Sequence, residues 1–458
     1  MVADAKPRSA FDPTAYASFR FLSRELDGAG RVTLRYALDD ELELVEELDL
    51  PIERALSEGE RARVEGLLSL LHWVAGVSYF KLAAPARVSC ETRAPTPAVA
   101  ALLEALYSEG LGEFAYTNAL AELPRPRFAR AATEAEAPSA SPTRKLPARI
   151  LVPVGGGKDS AVALEIVRRA GVELALFSIG EAPPIARTVA AAALPHLLVR
   201  RRLDPKLAEL NAAGALNGHV PITAIVSCVA ALTAALHGFD AVAMANERSA
   251  SAGNLHWDGI EVNHQFSKGL RAERLLGAAL AEIGAGVELF SVLRPASELA
   301  IARAFARLAR YHGAFTSCNA IFRLDPALRS ASWCCDCPKC RFVFLALAPF
   351  SSPEHLREIF GADLLDDESQ FEGFALLTAT GGHKPFECVG EEQESLAAMR
   401  LLASDPRWRA HRVVRRLAAE VLPRHPASAG DPAAVLALSD EHRVPDALMG
   451  DVRALLGA

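Results

Sequence analysis

Lysine is scarce in this chain of 458 residues: only 8 of its 49 basic residues are Lys, leaving 41 Arg. On surfaces the two are loosely exchangeable, so a bias toward Arg explains most of this. Under such a bias a retained Lys is informative, because only Lys offers a compact ammonium whose acidity can be tuned. Lys158, Lys268, Lys339 and Lys384 all fall in segments that read as chemical on other grounds. Excess positive charge is lacking as well. Against 49 Lys+Arg stand 56 Asp+Glu, a net charge of −7, the wrong sign for a protein that coats nucleic acid. No nucleic-acid partner is expected. The N-terminus (Met-Val-Ala-Asp-Ala-Lys-Pro-Arg) has no apolar signal-peptide core, and no internal repeat is visible. With 51% hydrophobic and 23% charged residues, the chain is globular and not disordered.

A disulfide framework is absent too. Of 8 Cys, four crowd into 334–340, which points to a reduced, cytoplasmic compartment and a metal site. One stretch imitates a membrane span: no charge occurs from Leu210 to Phe239, long enough to cross a bilayer. It also holds Asn211, Asn217, His219 and Thr223, with Gly218 and Pro221 near its middle. A buried helix from about Pro221 to Leu236 fits that composition better, and no membrane partner is expected.

Residues 18–50 alternate as antiparallel strands do, and a helical pattern follows from about Glu60 to Val74. The segment Tyr107–Asn118 mixes glycine and aromatics, as a binding loop or a packed turn does. Residues 131–147 are small, polar and proline-punctuated, an expected linker. Beyond it, apolar runs at 149–154, 174–179, 196–199 and 241–245 alternate with amphipathic stretches, predicting a parallel sheet wrapped by helices. After about 346 the pattern is mostly helical. The expected organisation is an α+β domain over 1–130, a linker, an α/β nucleotide-binding domain over 148–345 and a mostly helical region over 346–458.

Ile150-Leu-Val-Pro-Val-Gly155-Gly156-Gly157-Lys158-Asp159-Ser160 reads as strand, glycine turn and helix start. Such a turn lets backbone N–H groups converge on an anion, helped by the helix N-terminus. Lys158 can neutralise phosphate, Asp159 suits the helix start or a Mg²⁺ ion, and Ser160 can donate to an oxygen. The spacing fits neither a Walker A loop nor a dinucleotide fingerprint. It resembles the Ser-Gly-Gly-x-Asp-Ser loop of the ATP-pyrophosphatase (PP-loop) superfamily, with Gly155 where that family usually has Ser. The resemblance implies ATP on a five-stranded Rossmann-like sheet, cleavage between the α- and β-phosphates, and adenine near Phe177-Ser178-Ile-Gly180.

Cys334, Cys337 and Cys340 are spaced Cys-x2-Cys-x2-Cys, and Cys318 supplies a fourth thiolate. Four thiolates close a tetrahedral Zn²⁺ site; the same run is also iron–sulfur grammar. Cys335 is expected outside the shell. Three polar strings remain: Asn246-Glu247-Arg248-Ser249-Ala-Ser, Glu261-Val-Asn263-His264-Gln-Phe-Ser-Lys268-Gly, and Gly382-His383-Lys384-Pro-Phe-Glu387-Cys388-Val-Gly-Glu. The first follows the run at 241–245, where open α/β sheets bind ligands.

Taken in order with the glycine loop, the Cys cluster, Gly76–Lys81 and Gly110–Tyr116, these strings resemble the UDP-N-acetylmuramoyl-L-alanyl-L-glutamate epimerases (the MurL family), from about residue 18 to the C-terminus. The resemblance implies that ATP and Mg²⁺ are used to invert the terminal L-Glu of UDP-MurNAc-L-Ala-L-Glu through an acyl-adenylate, releasing AMP and pyrophosphate, for peptidoglycan synthesis. A structural Zn²⁺ is expected beside them. Catalysis is expected from His383, Lys384, Glu387 and Cys388. For the proton work itself Cys388, His383, His264, Lys268 and Glu247 are all candidates, since each type can be tuned toward neutral pH, with His383 and Cys388 favoured. Substrate contacts are expected from Asn246, Glu247, Arg248, Ser249, Asn263, His264 and Lys268. Other adenylating enzymes of the superfamily, nitrile-forming or tRNA-modifying, are the competing class, and a nucleotide-binding zinc-knuckle adaptor is the non-enzyme alternative.

Overall fold

The computed structural model describes residues 11–52, 56–131, 145–322, 329–330, 332–380 and 385–457. The N-terminal alternation forms a meander of β1 (Ser18–Leu26), β2 (Arg31–Leu38) and β3 (Leu42–Asp49), antiparallel throughout, with β4 (Arg87–Cys90) parallel to β1. Every second residue points inward: Phe19 and Phe21 from β1, Val32, Leu34 and Tyr36 from β2 are buried, as a period of two on a half-buried sheet requires. Four later apolar runs become β5 (Arg149–Pro153), β6 (Glu173–Ile179), β7 (His196–Arg202) and β8 (Ala241–Met244). A small hairpin of β9 (Leu255–Trp257) and β10 (Ile260–Val262) precedes β11 (Glu288–Ser291).

All but that hairpin join one nine-stranded mixed sheet of order β11-β8-β5-β6-β7-β3-β2-β1-β4, in which the five strands from β11 to β7 are parallel. The residues read as an N-terminal domain therefore share a sheet with the central strands. The joint is the antiparallel pairing of β3 with β7, and its chemistry is charge matching. Glu47, Leu48 and Asp49 face Arg202, Arg201 and Arg200. Arg201 grips fully buried Glu46 with two hydrogen bonds, 2.7 and 3.1 Å, and donates to Ser78 Oγ at 3.1 Å. Deleting one partner strands the other charge away from water, so Glu46→Ala is expected to cost about 3–5 kcal/mol. Urea unfolding checks this; a loss below about 1 kcal/mol would mean the joint is held by packing alone.

The charge-free stretch supplies the Ile222–His237 helix, which ends at Gly238 in the left-handed conformation with φ 71°. It packs beneath the Glu58–Ala75 helix against the sheet. Its 16 residues span only about 24 Å at ~1.5 Å each, short of a ~30 Å hydrocarbon core. Among the described residues no helix is long and apolar enough to cross a membrane. The C-terminal region is helical and shares one core with the Glu298–Phe305 helix, around buried Trp408, Leu402 and Val452.

Strand order fixes where a ligand can sit. From β5 the chain steps outward through β6 to β7, then returns to lay β8 and β11 on the other side of β5. The connections leaving β5 and β8 diverge, and a crevice opens at their carboxyl ends. The glycine loop follows β5 and the Asn246 string follows β8.

Candidate active site at the switch point of the sheet

A cavity of about 380 Å³ occupies that crevice, lined by Gly155, Gly157, Asp159 and Ser160 from the glycine loop and by Asn246, Lys268, Lys339 and Cys388. Its apolar wall includes Phe177, Ile179, Ile185, Val226 and Met244, with Ser178 among them. The loop can only be glycine at 156: φ is +81°, and a Cβ would lie 2.5 Å from the Pro184 carbonyl carbon. Gly157 precedes the Lys158–Arg169 helix without any side-chain cap, leaving the first N–H groups of that helix for an anion. Nothing lies within 4 Å of a Cβ at Gly155, so no steric cause requires glycine there. Ser160 Oγ donates to the Gly157 carbonyl at 3.0 Å. Ser178 Oγ donates to the Gly180 carbonyl at 2.9 Å and meets His196 Nε2 at 2.9 Å.

Lys158 is fully buried and ion-paired with both Asp159 and Glu298. Burial disfavours its charge, but Asp159 and Glu298 outweigh that and hold the ammonium well above its ordinary acidity range. Glu298 is 2% exposed. Burial would raise its carboxyl; Lys158, then Lys339, pull it down and keep it ionised. Lys339 Nζ stands 3.5 Å from Glu298 Oε1 and also donates to the Cys388 carbonyl. Glu298 thus binds the glycine loop to the segment that carries Cys337–Cys340.

Cys388 lines the same cavity, with Lys268 Nζ 3.3 Å from its Sγ. Burial pushes the thiol up, yet Lys268, a hydrogen bond from His264, and Lys339 bring it down to about 6. A thiol so placed is mostly thiolate at neutral pH. Burial lowers the basicity of Lys268, and Cys388 and Glu247 more than restore it. His264 Nδ1 hydrogen-bonds the Glu113 carboxylate. Glu113 belongs to the Gly112–Thr117 helix, so the segment read as either binding loop or packed turn reaches this site.

The structure brings together Asn246, Lys268, His264 and Cys388, and gives other predicted contacts different partners. Asn246 Nδ2 donates to Ser291 Oγ at 3.0 Å. Glu247 is 3% exposed, and burial raises its carboxyl. Arg248 donates to the Ala437 and Val435 carbonyls at 3.1 and 3.2 Å, tying the loop to the C-terminal region. Ser249 Oγ donates to Glu394 Oε1 at 3.0 Å, and Asn263 Nδ2 donates to the Ala250 carbonyl at 3.0 Å. Glu387 accepts from the Lys339 N–H at 3.1 Å, its carboxyl raised by burial. His383 and Lys384 lie outside the described residues.

Two family descriptions match the chain: the MurL N-terminal domain over residues 10–292 and the MurL C-terminal domain over residues 314–431. The chain is 47% identical to the UDP-N-acetyl-alpha-D-muramoyl-L-alanyl-L-glutamate epimerase of a Micromonospora species, covering 93% of this chain and 96% of that one. The Salinispora tropica epimerase of that name is 48% identical over 87% and 88% of the two chains. The one from Xanthomonas oryzae is 43% identical over 97% and 99%. The chain belongs to the MurL epimerase family. It is accordingly an isomerase. No solved structure matches it.

In this MurL chain the sulfurs of Cys318, Cys334, Cys337 and Cys340 gather with Sγ atoms all within 4.8 Å of one another. Bonds of ~2.3 Å in a tetrahedron place sulfurs about 3.8 Å apart; Cys334 and Cys340 are separated by 3.7 Å. The donor set fits a closed metal site. Cys335 stands apart, at φ +57°, its thiol donating to the Phe360 carbonyl at 3.3 Å. Ser317, the residue preceding Cys318, lines the cavity, and its neighbour Thr316 donates its N–H to the Gly156 carbonyl at 2.9 Å. The four-cysteine cluster and the glycine loop are therefore packed together.

Proposed function

We propose that this chain inverts the terminal L-Glu of UDP-MurNAc-L-Ala-L-Glu to D-Glu, using ATP and Mg²⁺ through an acyl-adenylate and releasing AMP and pyrophosphate. The observation that carries the reading is one cavity lined both by the glycine turn at a helix start and by Cys388, whose sulfur lies 3.3 Å from Lys268 Nζ. A carboxylate resists losing its α-proton because a second negative charge would form beside the first. Adenylation removes that charge and leaves a carbonyl to receive the electron pair. The Gly155–Gly157 turn and Ser160 would hold the phosphates, with Lys158, buried behind the loop and paired with Asp159 and Glu298, supplying positive charge beneath them. Asp159 is the side chain suited to Mg²⁺, which would neutralise charge on the departing pyrophosphate. Asn246 and Lys268 would contact the activated end. Cys388 would take the α-proton, and on sequence grounds alone His383 is assigned its return on the opposite face. Water then frees the acid and AMP. The four-cysteine cluster would hold structural Zn²⁺. A nucleotide-sugar precursor and reduced thiols both suit the cytoplasm.

The test is product made in D₂O. Its terminal D-Glu should carry deuterium at the α-carbon, and omitting ATP should abolish the label, because an unactivated carboxylate is too poor a carbon acid for a side-chain base. AMP and pyrophosphate should accumulate, and free L-glutamate should be ignored, since the remote UDP-sugar supplies the binding energy that positions the reacting end. ADP as product, unlabelled D-Glu, or efficient turnover of free glutamate would each overturn the reading.

A further inference from the structure

Glu113 is 151 residues from His264 in sequence, yet its carboxylate receives the His264 Nδ1 hydrogen bond. The Glu113 and His264 side chains are only 14% and 15% exposed. With Nδ1 committed to the carboxylate, the ring also interacts with the Cys388 thiol, the same sulfur that Lys268 Nζ approaches at 3.3 Å. Carboxylate, imidazole and thiol thus stand in series, the arrangement that activates a weak acid by an oriented base. We infer that Glu113 is a positioning residue, which fixes the tautomer and charge of His264 so that His264 holds Cys388 as the thiolate. This rests on the epimerisation proposed above and gives His264 a role in proton transfer in place of a substrate contact. In the step itself the substrate C–H bond breaks, the proton passes to Cys388 Sγ, and the electron pair moves onto the activated carbonyl.

The surrounding charges agree. Cys388 faces Lys268, His264 and Lys339. His264 faces Glu113 and Cys388, and the His219 ring lies 4.4 Å from it, centroid to centroid. Burial works against a charged His264, but the Cys388 thiol and Glu113 raise it to about 9. His219 is held down at about 4 by burial and by His264, with Lys268 and Lys81 in the same sense. Glu113 Oε2 is 3.8 Å from His219 Nδ1, beyond hydrogen-bond reach, so the ring that answers the carboxylate is His264.

The test reads the thiol directly. Alkylation of Cys388 by iodoacetamide, followed against pH by mass spectrometry of its peptide, should show a midpoint near 6 in the full-length protein. Glu113→Gln keeps size and a hydrogen-bond acceptor but removes the charge. Its midpoint should climb toward the ordinary thiol value of about 8.5, with alkylation at pH 7 falling several-fold. The acid limb of inversion should move with it, and Glu113→Asp should restore both. A folded Glu113→Gln protein with the wild-type midpoint would overturn the inference. If that variant does not fold, His264→Gln decides, since an unmoved midpoint there overturns it equally. Unlabelled wild-type product in D₂O would sink the epimerisation reading while leaving the alkylation result to stand on its own.

Discussion

Cys388→Ser is expected to lower inversion by about 10²–10⁴-fold, the usual worth of a positioned acid–base group, while AMP release falls far less. Serine keeps a small polar atom where Sγ now lies 3.3 Å from Lys268 Nζ, but its hydroxyl cannot ionise near neutral pH. Lys158 and Glu298 pair with each other and do not use the Cys388 sulfur, so the glycine loop keeps its own partners. The variant should activate and hydrolyse its substrate without inverting it. The pH profile follows from two groups. The Cys388 thiol is depressed to about 6, so thiolate is present above pH 6 and lost as pH falls through it. The His264 ring is raised to about 9, so imidazolium is present below pH 9 and lost as pH rises through it. Wild-type inversion should therefore be highest between pH 6 and 9, while AMP release from Cys388→Ser should show no acid limb near pH 6. Chiral analysis of the product beside AMP quantitation checks both. Inversion and AMP release falling in equal proportion would remove Cys388 from proton transfer.

The parts of this site legible in the sequence are those encoded locally. A glycine turn between a strand and a helix declares itself within eleven residues, and a cysteine run within seven. The parts hidden from it are long-range pairings between ordinary residues. Glu298 is an acidic residue in the first turn of a helix, a commonplace where the helix dipole favours negative charge; only the fold brings Lys158 and Lys339 to it. Glu113 stood in a string that glycine and aromatics made look like a turn, and its partner His264 is contributed from beyond the central strands. Lys339 was conspicuous as a rare lysine, but nothing local says that it reaches Glu298. The same limit applies to the fold. Alternation and apolar runs locate the strands, whereas the β3–β7 joint depends on matching Arg200–Arg202 against acidic residues about 155 positions away.

Cys337→Ser is expected to do more damage than any substitution on the cavity wall, and Cys335→Ser almost none. Cys337 does two things at once. Its sulfur belongs to the four-thiol group, and it caps the Pro338–Leu347 helix by accepting the Cys340 N–H at 3.4 Å. A structural Zn²⁺ in zinc-finger peptides contributes apparent free energies of about 10–16 kcal/mol; a knuckle inside a packed core loses only part of that, but several kcal/mol is a large share of a marginal total. The consequence reaches the glycine loop. Lys339 lies between Cys337 and Cys340, 3.5 Å from Glu298 Oε1. Releasing it leaves a carboxylate that is 3% exposed with Lys158 as its remaining lysine partner, and an under-compensated buried charge is costly. Cys337→Ser should thus lose about one equivalent of metal, unfold at lower urea and release less AMP even where it stays folded. Cys335 has its thiol on the Phe360 carbonyl, so Cys335→Ser should keep metal, stability and AMP release. Metal analysis with urea titration of both variants checks the pair, and a visible absorption band would replace zinc by an iron–sulfur cluster. Equal metal loss in the two variants would mean that the knuckle is assembled from a different set of four.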